Sequence, residues 1–144
     1  MTSQDPTPLI LRGPPGIGEE ARGQALVSRH GFSARYDLDP ATGQIVRESH
    51  DLYGESIVAR IVVFPTAKGG VATSWRLLDL VDRGTAPLGL IFGTTNPVMV
   101  QGAVLAGIPI MDRLLPDPAA NIVTGDWVTM IPKEGIVQVK RRRL

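Results

Sequence analysis

The stretch SIVARIVVFPTAKGGVATS (residues 56–74) and the residues after it decide the fold class. Its first half is dense in β-branched side chains, which predicts a strand over Ser56–Phe64 that is buried on at least one face. Pro65 is expected to end this strand, and residues 66–73 are expected to form a loop. A helix is predicted from Ser74 to Arg83, followed by Gly84 as its stop. Apolar side chains that recur at three- and four-residue spacing predict its buried face: Trp75, Leu78 and Val81, with Leu77 and Leu80 alongside.

A second strand and helix follow in the same order. The apolar run Pro87–Phe92 predicts a strand. Asn96 before Pro97 predicts a helix start, because asparagine caps helices and proline is tolerated at the first helical position. This helix is expected to stop at Gly107, before a short strand at Ile108–Met111.

Further strands flank these two units. Arg22–Ser28 has the character of a strand, and Asp37–Gly43 has the residues of a turn. Near the end of the chain, Trp127–Ile131 and Ile136–Val139 flank a short Pro- and Gly-containing segment, which predicts a hairpin. The whole pattern predicts a mixed α/β domain with a partly parallel layer and a second β layer.

Length and composition exclude several classes of function. The chain has 144 residues, a formal charge of +1 and no cysteine. We expect one domain over residues 1–144, with residues 1–8 as a disordered lead-in and 140–144 as a basic tail. Without cysteine the chain cannot hold an iron–sulfur cluster through its own thiolates or use a cysteine nucleophile. The near-neutral charge argues against broad nucleic-acid binding.

The chain has no pattern of a secreted or membrane protein. Its first residues lack a basic segment followed by an apolar run, so a cytoplasmic location is expected. The stretch Gly84–Met111 has no charged residue, but prolines interrupt it. It is therefore expected to be a buried strand–helix–strand unit and not a membrane span.

The loop between the first strand and the first helix is the main candidate site. Gly69 and Gly70 allow the backbone to approach a ligand closely, and free N–H groups at a helix start favour an anion. Lys68 adds a positive charge, while Thr73 and Ser74 offer hydroxyls. A plainer alternative is that Thr73 or Ser74 caps the helix and the glycines form a turn.

Two other patterns do not support a site. GIGEEA (residues 16–21) matches a dinucleotide-binding fingerprint, but Glu19 and Glu20 would lie where a pyrophosphate needs bare N–H groups. His30 and His50 lack a patterned third ligand, so no metal site is predicted and both are interpreted as surface or structural residues.

Five segments in register resemble one family. They are GQALV (23–27), DPATGQI (39–45), LYGESI (52–57), the loop 65–74, and GAVLAGIP (102–109). Their order and spacing resemble the small, swivel-type subunit of the aconitase X family. The resemblance implies a swivelling β/β/α domain, as in aconitase and in isopropylmalate isomerase small subunits.

The resemblance also implies a function. In such enzymes a large, cysteine-bearing subunit carries the iron–sulfur cluster, and the swivel domain closes the cleft as a mobile lid. The chain is thereby expected to be one subunit of a hydro-lyase, inactive alone, that acts on a small hydroxy acid such as cis-3-hydroxy-L-proline or mevalonate 5-phosphate. By itself it is expected to form a homo-oligomer through the surface meant for its partner.

The resemblance assigns roles within the loop. Lys68, Gly69 and Gly70 would bind substrate, and Ser74 or Thr73 would be the catalytic hydroxyl. One residue departs from the family pattern, because Gly70 stands where a serine is expected. The alternative is a non-catalytic anion-binding or interaction module that keeps the swivel fold.

Overall fold

The secondary structure alternates between strands and helices in the middle of the chain and is purely β at both ends. The computed structural model describes residues 7–141. The strands are β1 (Leu9–Arg12), β2 (Ala21–Val27), β3 (Leu38–Asp39), β4 (Gln44–Ile45), β5 (Ile61–Thr66), β6 (Gly89–Thr94), β7 (Ile110–Asp112), β8 (Trp127–Ile131) and β9 (Ile136–Lys140). The helices are α1 (Val71–Arg83), α2 (Pro97–Ala106) and α3 (Pro118–Asn121), and a 3₁₀ turn at Pro132–Glu134 joins β8 to β9.

Strand β2 connects a parallel and an antiparallel half of one sheet. The seven strands lie in the order β1-β9-β8-β2-β5-β6-β7. β2 runs parallel to β5, and β5, β6 and β7 continue in parallel, whereas β2, β8, β9 and β1 pair antiparallel. The predicted mixed α/β fold with a partly parallel layer is confirmed.

Two hydrophobic cores fill the domain on opposite faces of the parallel strands. In β5, Val62 and Phe64 pack into the core beneath α1 and α2. Ile61 and Val63 pack into the other core, with side chains from β8 and β9. All four side chains are fully buried. Successive side chains of a strand point to opposite faces, so β5 contributes to both cores.

The caps predicted from the sequence are confirmed. The side chain of Asn96 accepts a hydrogen bond from the Met99 N–H at 2.8 Å. Gly84 and Gly107 end their helices in the left-handed conformation, with φ of 75° and 73°. The predicted hairpin is formed by β8 and β9.

Three boundary predictions around β5 and α1 are wrong. The strand begins only at Ile61, because Ile57 donates to the Gly43 carbonyl and Ala59 adopts a φ of 56°, which turns the chain. It also runs past Pro65 to Thr66. Helix α1 begins at Val71 and not at Ser74.

The buried face of α1 also differs from the prediction. Its buried residues are Thr73, Ser74, Leu77 and Leu80. Trp75 is 63% exposed and Val81 is exposed as well. The apolar spacing therefore predicts the helix correctly. Of the predicted set, however, only Leu77 and Leu80 lie on its buried face.

The ends of the chain are described in part. Of the predicted lead-in, residues 1–6 lie outside the described range, as do residues 142–144 of the predicted basic tail. Lys140 lies in β9, and the Arg141 guanidinium donates to the Asp126 carboxylate at 3.0 Å. Within residues 7–141, no helix is long and apolar enough to cross a membrane.

Candidate functional site

The segments that follow β2 and β5 meet at the carboxyl edge of the parallel strands. The Phe32 N–H donates to the Thr66 carbonyl at 3.0 Å, and the Lys68 N–H donates to the Phe32 carbonyl at 2.8 Å. These two bonds form a short parallel bridge between Phe32 and Ala67. The bridge holds the loop that carries Lys68 against the segment that carries the first histidine, His30.

The hairpin of β3 and β4 supplies another wall. The Val46 N–H donates to the Asp37 carbonyl at 2.7 Å, which extends the hairpin beyond β4. The next residue, Arg47, lies beside the Asp37 carboxylate, with 2.6 Å between Nε and Oδ1. The Asp37 side chain is only 5% exposed, whereas that of Arg47 is 47% exposed.

Together these segments enclose a surface cavity of about 340 Å³. It is lined by His30, Gly31, Ser33, Tyr36, Asp37, Arg47, Ser49, His50, Lys68 and Gly69. Arg47 and Lys68 bring positive charge to it, and Asp37 is the acidic group among these residues. The cavity therefore favours an anionic ligand.

Two of the three predicted binding residues of the loop line this cavity. Lys68 and Gly69 line it, and Gly70 is the N-cap of α1 with no side-chain cap bond. The Lys68 side chain crosses Gly31 closely, because a Cβ on Gly31 would lie 2.8 Å from Lys68 Cε. A glycine at position 31 thus leaves room for the lysine to reach the cavity.

The two predicted hydroxyls lie inside the first turns of α1. The expectation that Thr73 or Ser74 caps the helix is wrong, since Gly70 is the N-cap and both side chains are buried. Ser74 Oγ donates to the Val98 carbonyl at 2.9 Å and so joins α1 to α2. Thr73 Oγ1 is buried, has no hydrogen-bond partner among the described residues, and lies against Gly69.

The histidines, which the sequence offered only as surface or structural residues, both line the cavity. His50 is buried, its Nδ1 accepts the Leu52 N–H at 3.1 Å, and its Nε2 lies 3.0 Å from the Gly31 carbonyl. Nδ1 of the half-exposed His30 accepts the Asp51 N–H at 3.1 Å. One signal for His50 is available in the sequence, because it lies two residues before the 52–57 segment on which the resemblance rests.

His30, His50 and Asp51 also bring three possible metal-ligand atoms within 4.8 Å of one another. These groups already have partners, however. The two Nδ1 atoms accept backbone N–H groups, while the Asp51 carboxylate accepts the Ser28 hydroxyl at 2.6 Å and the Arg29 N–H at 2.7 Å. These hydrogen bonds tie the three residues to one another's segments.

The chain matches a known family over most of its length. The model of the aconitase X swivel domain matches residues 10–139. The chain belongs to the aconitase X swivel-domain family. The resemblance that the five sequence segments predicted is thereby confirmed, and the family match spans both the cavity and the antiparallel strands.

Similar proteins of this family match over nearly their whole length. A phosphomevalonate dehydratase small subunit of Methanocella arvoryzae is 34% identical, with 91% of this chain and 99% of the relative covered. One from Methanopyrus kandleri is 36% identical, with coverage of 81% and 86%. The crystal structure of Thermococcus kodakaraensis aconitase X in its holo-form matches with a TM-score of 0.85 and 30% identity, covering 91% of this chain and 98% of the matched chain. This match confirms the swivel-type fold.

Proposed function

We propose that this chain is the small subunit of a heteromeric hydro-lyase that removes water from a small hydroxy acid. Mevalonate 5-phosphate is the first candidate substrate, because relatives that match nearly end to end are named phosphomevalonate dehydratase small subunits. The observation that carries the proposal is the cavity, which is lined by Arg47 and by Lys68 and Gly69 of the glycine loop. A phosphorylated acid carries the negative charge that such a cavity favours.

The proposal includes a large subunit. Loss of water breaks a C–H bond and a C–O bond, and the C–H electron pair becomes the new double bond as hydroxide leaves. An iron–sulfur cluster on the large subunit would supply the Lewis acid that accepts this hydroxyl. The present chain has no thiolate for such a cluster.

In this proposal the loop from Lys68 to Gly70 binds and covers the substrate. The ammonium group of Lys68 and the backbone N–H groups of Gly69 and Gly70 would bind the anion, while Arg47 offsets the charge of Asp37, the carboxylate at this cavity. Closing the loop over the bound acid would exclude water, which strengthens these interactions.

Thr73 is the hydroxyl that we assign to proton removal. Its Oγ1 has no partner among the described residues and lies against Gly69, whereas Ser74, the other candidate, already donates to Val98. A free hydroxyl is a weak base, so the N–H groups of the first turn of α1 and the charge of Lys68 would stabilise its anion. For this role, Gly69 would have to move away from Oγ1.

The test is co-expression with a large aconitase X subunit and a dehydration assay on mevalonate 5-phosphate and on cis-3-hydroxy-L-proline. We expect turnover of the phosphorylated acid only. Thr73→Val and Lys68→Gln should each lower kcat/KM at least about tenfold, while Thr73→Ser retains most of it. Arg83→Gln is the matched control, because Arg83 pairs with Asp79 at 3.0 Å on the outer face of α1. A complex that dehydrates neither acid would contradict the proposal.

A second candidate is a non-catalytic anion-binding module. Two observations favour it: Gly70 stands where the loop serine is expected, and the hydroxyl of Ser74 donates a hydrogen bond to a carbonyl of the neighbouring helix. This candidate predicts that the complex binds mevalonate 5-phosphate without releasing water. Calorimetry beside the dehydration assay separates the two candidates.

The remaining parts of the proposal concern the chain alone. We propose a cytoplasmic location and, without the large subunit, self-association of the isolated chain. Fractionation of cells and sedimentation velocity of the purified chain test these points. Addition of the large subunit should replace the self-associated form by a heteromer.

A further inference from the structure

We infer that Arg47, oriented by Asp37, forms together with Lys68 an oxyanion site that binds a phosphate group. The inference deepens the proposed function by naming the residues that hold the anionic end of the ligand, and it rests on that function for the identity of the ligand. The sequence had assigned no role to Arg47.

Asp37 is fixed before any ligand arrives. Its Oδ2 accepts the Ser33 N–H at 2.8 Å, and its own N–H donates to the Ser33 carbonyl at 2.9 Å. These bonds close a tight turn around the carboxylate, which is nearly buried. A buried carboxylate needs a cationic partner, and Arg47 is that partner, with Nε 2.6 Å from Oδ1.

The ion pair leaves the outer side of the guanidinium available. Asp37 lies beside Nε, and the two terminal nitrogens of Arg47 have no acceptor within the described range 7–141. A guanidinium presents its donors in a rigid, planar fork that matches carboxylate and phosphate oxygens. Because Asp37 fixes one edge of this fork, the other edge is held towards the cavity with little loss of side-chain freedom.

Lys68 approaches the same cavity from the loop after β5. Its backbone N–H is tied to the Phe32 carbonyl, and its side chain crosses Gly31. Lys68 is in none of the ion pairs formed within residues 7–141. The two cations belong to different segments, so a ligand between them would be held from two sides.

This arrangement suits a phosphate monoester. The charges of Arg47 and Lys68 exceed that of Asp37 by one, so the site retains positive charge. A phosphate group offers three outer oxygens, enough for the guanidinium fork, the ammonium group and the backbone N–H of Gly69 at once. A carboxylate offers only two oxygens and would leave a donor unused.

Titration calorimetry of the full chain with inorganic phosphate at constant ionic strength tests the site. We expect Arg47→Gln and Lys68→Gln each to weaken binding about tenfold, because each loses a charge-assisted bond. Arg47→Lys keeps the charge but loses the fork, and should be intermediate. Arg83→Gln, which removes an arginine paired with an aspartate elsewhere, should bind like the wild type.

Asp37 acts by positioning Arg47. Its role is therefore tested by whether its effect on phosphate binding depends on the presence of Arg47. Asp37→Asn should weaken phosphate binding in the wild type but have no further effect in Arg47→Gln. Circular dichroism confirms that each variant is folded. If Arg47→Gln and Arg47→Lys are folded and both bind phosphate like the wild type, the inference is overturned.

Two further measurements distinguish a failure of this inference from a failure of the proposed function. Acetate in place of phosphate should bind more weakly, and equal or tighter binding of acetate would overturn the assignment to phosphate. Loss of phosphate binding in Arg47→Gln supports the site even if the complex with the large subunit proves inactive. Conversely, a complex that dehydrates mevalonate 5-phosphate with an unchanged KM in Arg47→Gln would retain the proposed function and reject the site.

Discussion

The backbone of Gly69 lies directly on the hydroxyl of Thr73, so that a Cβ on Gly69 would overlap Oγ1. Gly69 also has a φ of +107°, which side chains other than glycine's rarely adopt. We therefore expect Gly69→Ala to lower the free energy of unfolding by about 1–3 kcal/mol. Urea unfolding followed by circular dichroism measures this change.

The neighbouring glycine is the matched control. Gly70 has a φ of −109°, and a Cβ there would have no atom within 4 Å outside its chain neighbours. Gly70→Ala should change the free energy of unfolding by less than about 1 kcal/mol. Equal losses in the two variants would show that the contact with Thr73 is not what makes position 69 sensitive.

Gly70→Ser would restore the serine expected in the family loop. The position is the N-cap of α1, and it has space for a side chain. A serine there can accept an N–H of the first turn, so we expect a gain of a few tenths to about 1 kcal/mol in the free energy of unfolding. In complex with a large subunit the new hydroxyl should also raise kcat. A variant that is more stable but no faster would argue against a catalytic role for a hydroxyl at this position.

Ser74→Ala separates packing from catalysis. The hydrogen bond from Ser74 to Val98 joins α1 to the first turn of α2, and its loss should lower the free energy of unfolding by about 0.5–1.5 kcal/mol. Below the unfolding temperature, kcat of the complex should stay within about twofold of the wild type, because the hydroxyl is directed at a backbone carbonyl. A large fall in kcat at unchanged stability would reassign the catalytic hydroxyl to Ser74.

The ionisation of Asp51 makes the free energy of unfolding depend on pH. Burial raises the pKa of Asp51, but the Arg29 N–H and the Ser28 hydroxyl, together with the charges that His30 and His50 carry when protonated, lower it below its ordinary value of 3.8. A carboxylate with a lowered pKa in the folded state stabilises the fold above the unfolded-state pKa, and this contribution is lost as the pH falls through the folded-state pKa.

Asp51→Asn should accordingly be less stable than the wild type near neutral pH, and the difference should shrink below about pH 4. Thermal unfolding at several pH values measures the difference. Glu48→Gln, an exposed acid that forms no ion pair in the described chain, should follow the wild type throughout. A constant gap between Asp51→Asn and the wild type at all pH values would contradict the assigned pKa shift.

The elements that the sequence predicts well are those fixed by local rules. Asn96 and Pro97 start α2, Gly107 ends it, and the hairpin around residues 132–135 forms where its turn residues lie. Each of these features depends on hydrogen bonds between residues only a few positions apart. The start of α1 was predicted three residues late because the hydroxyls of Thr73 and Ser74 suggested a cap, while the cap is a glycine without a side chain.

The cavity could be predicted only in part. Lys68 and Gly69 are visible in the sequence as a glycine loop after a strand, and they do line the cavity. His30 reaches the cavity through the bridge between Phe32 and Ala67, and Arg47 reaches it through the bond of Val46 to Asp37 and its own ion pair with Asp37. No periodicity or short motif contains that information, so these residues appeared only with the three-dimensional structure.

Strand β5 has a consequence for how the domain melts. Ile61 and Val63 belong to one core, and Val62 and Phe64 belong to the other. Detachment of β5 would therefore disrupt both cores at once. The helical layer and the antiparallel layer should therefore unfold in one cooperative step, with calorimetric and van't Hoff enthalpies that agree. If the domain closes over a ligand as proposed, it should therefore move as a rigid body whose two layers keep their packing.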